Sequence, residues 1–170
     1  VAAIGAVGIL TWMTQSISLM NKVGAEVTVG HSIGAQNAEE AKMFASHNLT
    51  IGLLVSLVWG ALLFVFAHPV ISLYKLEPEI TDMAVEYLRI VATGFPFVFL
   101  ASAFTGIHNA AGLSKIPFYV SGSGLLLNMI LDPLFILGFG WGTAGAAYAT
   151  WLSECAVVLL FVYQLKVRNK

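Results

Sequence analysis

Three polar side chains stand where an apolar chain has least reason to hold them: Asn128, Asp132 and Thr150. Asn128 and Asp132 are four residues apart, so on a helix they share a face one turn from each other. Asp132 lies eight residues before Gly140 and Thr150 ten residues after it. At the helical rise this puts both roughly 12–15 Å below the same end of two antiparallel neighbours. That depth is near the middle of a hydrocarbon layer about 30 Å thick. A carboxylate, an amide oxygen and a hydroxyl meeting there are hard oxygen ligands of the kind that suit Na⁺, or they surround a carboxyl group that gains and loses a proton. Pro133 follows Asp132 and has no N–H to give the carbonyl of Met129, which leaves a further oxygen beside the carboxylate. The competing explanation is a buried acid kept for fold specificity; the cost of an ionisable group at this depth favours function.

Two more acids fall within apolar stretches. Glu154 is one turn beyond Thr150 and is a candidate to line the same cavity, or to contact a helix outside this chain. Glu26 has Lys22 at i−4, which points to an ion pair near the interface. His31, His47, His68 and His108 all fall near expected helix ends and read as interfacial, with no metal-ligand spacing among them. No nucleophile–base pair, phosphate loop or nucleotide motif occurs, so an enzyme is not expected. The glycines of 138–142 lack the strand–turn–helix context of a dinucleotide site and read as a tight turn. The single Cys155 excludes a disulfide framework within one chain.

The elements that must position these groups follow from composition. Of 170 residues, 58% are hydrophobic and 10% charged, against about 25% charged in ordinary soluble domains. Mean hydropathy is +0.86. The fold class expected is all-α, a polytopic transmembrane helix bundle of about five spans. They are placed at residues 1–34, 48–67, 84–107, 117–137 and 143–165. The first exceeds the length a bilayer needs and either protrudes or kinks near Gly24. Residues 34–47 read as a polar connection with a short helical stretch over 38–44. His68-Pro69 ends the second span, residues 70–82 read as interfacial, and Pro96 should kink the third. Gly112 is a helix stop and Pro117 a restart. Trp141, Tyr74, Tyr87 and Tyr163 fit an interfacial aromatic belt, whereas Trp12 and Trp59 fit it less well and would pack or line a cavity.

Lys and Arg are distributed five against two between alternate connections, counting Lys42, Lys115, Lys166, Arg168 and Lys170 on one side and Lys75 and Arg89 on the other. The first set is expected to be cytoplasmic, with the C-terminal end inside a cell inner (plasma) membrane. A net charge of −1 carries no nucleic-acid footprint. The chain opens on Val1 within an apolar stretch, with no signal peptide, and is expected to be a piece of a longer protein.

The run Asn128-Met129-Ile130-Leu131-Asp132-Pro133-Leu134, then Gly138, then Gly142-Thr143-Ala144-Gly145-Ala146-Ala147-Tyr148-Ala149-Thr150, resembles the fifth-to-sixth helix region of the MATE (multidrug and toxic compound extrusion) transporters. Residues 24–35 resemble the end of their second helix, and 106–117 their fourth-to-fifth connection. The resemblance covers essentially the whole chain. It implies helices two to six of the amino-terminal lobe of a transporter with two six-helix lobes, which exports cationic or amphipathic small molecules in exchange for H⁺ or Na⁺ by alternating access. It implies that Asn128, Asp132 and Thr150 hold the coupling ion, serving as metal ligands if that ion is Na⁺. The family's site also uses an Asp on its first helix, for which this chain has no counterpart, and His31 stands where many relatives carry Gln. No other cofactor is implied. Membrane lipid, the first helix and the second lobe are the implied partners. Two alternatives stay open: a lipid-linked-precursor flippase of the same superfamily, which should show a strongly basic cavity, and a non-transporting membrane scaffold.

Overall fold

The computed structural model describes residues 2–168, and the side chains of residues 2–167. Lys170 and the side chain of Arg168, both counted in the basic tail, lie outside the described residues. The architecture is an up-and-down bundle of helices. The first, α1 (Ala2–Gly34), is unbroken through Gly24. It is followed by α2 (Ala38–Val65), a short α3 (Ala67–Ser72), α4 (Pro78–Thr93), α5 (Phe95–Ala110), α6 (Lys115–Pro133), a π-helical turn (Leu134–Gly138) and α7 (Gly142–Arg168). By length and apolar character α1, α2, α6 with its π turn, and α7 can each cross a membrane. The α4–α5 pair, bent by 45°, is apolar enough to form a fifth crossing if taken as one broken span.

Several boundaries differ from the sequence reading. His68-Pro69 do not end the second span: α2 stops at Val65, where the Phe66 N–H still donates to the Leu62 carbonyl, and His68-Pro69 open the first turn of α3, where a proline costs no helical bond. The second span starts at Ala38 rather than residue 48, because Asn37 caps the helix by accepting the Glu40 N–H at 3.1 Å. Glu39 and Glu40 then sit in the first turn, where the helix dipole favours them. The charged segment is therefore helix continuing past the apolar layer, and only residues 35–37 form the connection. The third span starts earlier, at Pro78, and breaks at Gly94, two residues before the proline expected to kink it. Pro96 cannot donate to the Ala92 carbonyl, so the helix restarts with Phe97 and Val98 donating to the Gly94 carbonyl at 3.0 and 3.3 Å. At the α5–α6 connection Gly112 adopts φ +73, the left-handed backbone that ends a helix most easily without a Cβ.

Side chains pack into two cores stacked along the bundle. One joins α1, α2, α3, α4 and the start of α5 through Val7, Leu10, Leu63, Ile71, Leu88 and Phe95. The other joins α5, α6 and α7 through Phe104, Val120, Val157, Val158 and Phe161. Outside them the surface is apolar: Leu54, Val58, Leu126, Ile130 and Leu159 are each more than half exposed. A water-soluble protein does not carry such a belt, and a bilayer covers it. Close approach of the helices depends on small residues. A Cβ on Gly106 would run into the Lys22 carbonyl, joining α5 to α1, and one on Gly60 would stand 2.9 Å from the Ala92 carbonyl, joining α2 to α4.

Polar bonds supplement this packing. Trp59 donates its indole N–H to Thr14 Oγ1 at 2.9 Å, Asn48 donates to Thr28 Oγ1 at 3.1 Å, and the hydroxyls of Ser18 and Ser102 bond each other. Trp59 thus packs between helices, whereas Trp12 is 78% exposed on the bundle surface.

Candidate functional site

The site grows from the α6–α7 hairpin. Pro133 ends α6, and the chain widens at once into the π turn, where Phe139 donates to the Leu134 carbonyl at 3.0 Å. Gly145 of α7 lies so near this turn that a Cβ there would stand 2.8 Å from the Phe135 carbonyl. The absence of a side chain lets α7 rest against the irregular segment and fixes how α6 and α7 face each other.

A cavity of about 450 Å³ lies between α1, α5, α6 and α7. Asn128, Thr150 and Glu154 line it together, joined by Gln15, Ser102 and Lys22. Thr150 directs its hydroxyl proton to the Ala146 carbonyl at 3.1 Å, leaving its oxygen free to accept. Asp132 and Pro133 are not among the lining residues. Asp132 sits one turn along α6 from Asn128, with Oδ1 enclosed and without a hydrogen-bond partner among the described residues. An enclosed carboxylate oxygen lacking a donor is chemically suited to a proton or a monovalent cation, either of which supplies what the protein does not. The structure therefore gathers Asn128, Thr150 and Glu154 around one space and sets Asp132 beside it.

Lys22 and Glu26 form the ion pair their spacing suggested, at 3.7 Å, and Asn109 donates to the same Glu26 oxygen at 2.7 Å. His108 does fall in the last turn of α5, but it is covered there, 6% exposed, with Nδ1 at 2.7 Å from the Phe104 carbonyl and its ring 5.4 Å from that of Phe161 on α7. His31, His47 and His68 are exposed. Gln15 and Ser102 were missed as site residues. Gln15 carried a signal, since Gln15, Leu19 and Lys22 recur at i, i+4 and i+7 and all line the cavity.

A second, wider recess of about 1390 Å³ opens between α2, α4, α5 and α7 near the π turn. Aromatic residues including Phe97, Trp141 and Trp151 line it, together with Glu86 and Arg89. The Arg89 guanidinium lies 5.6 Å from the centre of the Phe64 ring.

Apolar crossing helices and a broken span, packed around a cavity lined by both polar and apolar side chains, define a polytopic membrane protein. The MatE family pattern matches residues 1–134. The chain is 30% identical over 173 residues to the probable multidrug resistance protein YoeA of Bacillus subtilis (strain 168), a match covering 99% of this chain and 37% of that relative. It is 29% identical over 164 residues to the probable multidrug resistance protein NorM of Thermotoga maritima, covering 94% and 35%. The crystal structure of a MATE transporter in its bent conformation superposes with a TM-score of 0.95 at 27% identity, over 99% of this chain and 38% of that one. The inward-facing conformation of a multidrug resistance MATE family transporter of the MOP superfamily gives 0.93 at 27% identity, over 96% and 37%. This chain belongs to the MATE family. It spans a little over a third of the length of the relatives it matches.

Proposed function

We propose that the chain is part of the amino-terminal lobe of a secondary active transporter that exports cationic or amphipathic drugs in exchange for H⁺ or Na⁺. Relatives named as multidrug resistance proteins support the export reading. The observation that carries the coupling reading is the enclosed, unpartnered Oδ1 of Asp132, one turn from Asn128 and directly before the Pro133 break.

Arrival of the coupling ion at Asp132 removes an uncompensated charge from the interior. The π turn after Pro133, short of regular helical bonding, is the element able to change register in response. Because α7 rests on that turn, movement there alters the Asn128–Thr150 wall of the cavity. A cavity that holds the drug when Asp132 is ionised and releases it outward when the ion is bound gives exchange, provided the two ligands favour different states. Asn128 and Thr150 serve as ligands if the ion is Na⁺.

The test is drug flux in proteoliposomes holding the full-length transporter under an imposed H⁺ or Na⁺ gradient. Asp132→Asn should abolish ion-driven flux; unchanged flux in that variant would sink the coupling role. The excess of Lys and Arg, counting Lys42, Lys115 and Lys166, supports a cytoplasmic 35–37 turn and C-terminal end. A cysteine replacing Lys75 should then react with an impermeant thiol reagent outside intact cells, and protection of that site would reverse the orientation.

The flippase reading calls for a basic cavity. The basic residue lining this one is Lys22, and Glu26 answers its charge.

A further inference from the structure

We propose that the two intramembrane carboxylates divide the work: Glu154 meets the positive charge of the organic substrate inside the cavity, and Asp132 carries the coupling ion from beside it. The proposal rests on the efflux reading above and adds to it a residue that sets specificity for cations.

The geometry separates the two acids. Glu154 lines the 450 Å³ cavity together with Asn128 and Thr150, and Asp132 does not. Glu154 lies twelve residues into α7, a helix of 27 residues, or about 18 Å along an element roughly 40 Å long. It therefore sits near mid-membrane, where an ionisable side chain is expensive to hold unless something answers it.

Among the described residues nothing in the cavity wall answers it. The ionisable residues lining the cavity are Lys22 and Glu154. Lys22 is paired with Glu26 at 3.7 Å, and Asn109 holds that Glu26 in place at 2.7 Å. Among the described residues no Lys, Arg or His reaches Glu154 within ion-pair distance. With Lys22 held by Glu26, the Glu154 carboxyl group is left, among the described residues, without a basic partner in the cavity.

The rest of the wall fits an amphipathic cation. Gln15, Ser102 and Thr150 offer hydrogen-bonding groups, while Val98 and Leu125 offer apolar surface. The volume falls within the range of about 300–1,000 Å³ typical of small-molecule sites. An anion would meet the Glu154 charge unshielded. A neutral molecule of the same size would use the same walls without using that charge, so charge alone separates the two classes.

The experiment uses the purified full-length transporter as wild type, Glu154→Gln, Glu154→Asp and Asp132→Asn. Dissociation constants are measured by fluorescence for ethidium, a permanent cation, and for Nile red, which is uncharged; melting temperature and ion-driven ethidium flux are followed in parallel. Loss of a charge-assisted contact should weaken ethidium binding by about tenfold or more in Glu154→Gln. Nile red should change by less than about twofold, and Glu154→Asp should recover part of the ethidium affinity, as expected for a contact that depends on charge. Equal ethidium affinity in wild type and Glu154→Gln, with flux still lost in Asp132→Asn, overturns this division of labour and leaves the efflux reading standing. Proportional weakening of both dyes with a lowered melting temperature assigns Glu154 to helix packing and also overturns it. A wild-type protein that binds neither dye and moves neither overturns the efflux reading and this inference together.

Discussion

Trp59 illustrates how single residues tie this bundle together. It lies in the C-terminal half of α2, half-buried, and its indole N–H reaches Thr14 on α1. In lipid such interhelical bonds average about 0.6 kcal/mol and reach about 1.7. Trp59→Phe should therefore lower stability by about that much, read as an earlier midpoint in denaturant titration of the full-length protein. Once Thr14→Val is in place the same change should cost little beyond the lost packing; two fully additive losses would show that the bond contributes nothing. Residue-level legibility followed spacing. The Lys22–Glu26 pair could be read from i and i+4, and Asn128, Asp132 and Thr150 from their distances to the Gly140 turn. What spacing could not give was rotation about the helix axis at Asp132, whose carboxyl group lies beside the cavity that its neighbour Asn128 lines. Four residues along a regular helix leave about 40° between two side chains, enough to decide between lining and flanking.

At the scale of elements, small residues set the distances between helices. Gly106 stands against the Lys22 carbonyl with no room for a Cβ, whereas Gly122 has nothing within 4 Å of where one would go. Gly106→Val should part α5 from α1 and lower stability by about 1–3 kcal/mol or more. Gly122→Val should change it by no more than a few tenths. Similar denaturation midpoints for the two variants would contradict the packing account. The crossing helices were legible because each is a long apolar run, and Gly112 and Pro117 marked a connection that the structure places at residues 111–114. The start of α2 was not legible from hydropathy, since Glu39, Glu40 and Lys42 read as loop when a helix is equated with its apolar part. The Asn37 cap, with Glu at the third position after it, was the signal for that boundary. Pro96 announced a break, but the residue that absorbs it is Gly94, because the proline withholds its N–H from a carbonyl four residues back.

The whole molecule is a partial lobe of a MATE transporter. Its apolar belt faces lipid, its two cores hold the ends of the bundle, and its polar side chains converge where four helices leave a gap. That arrangement suits a device whose interior exchanges one positive charge for another. The central claim is that a drug cation and a coupling ion compete through the state of Asp132. Linkage makes this reciprocal: if ion binding expels drug, drug binding must expel the ion. The direct measurement is ion release from the purified full-length transporter in weakly buffered solution on addition of a cationic drug, followed with a pH indicator for H⁺ and an ion-selective electrode for Na⁺. The account predicts release of one of these ions from the wild type, saturating with drug, and none from Asp132→Asn. Drug binding that releases no ion from the wild type, or the same amount from both proteins, would contradict it.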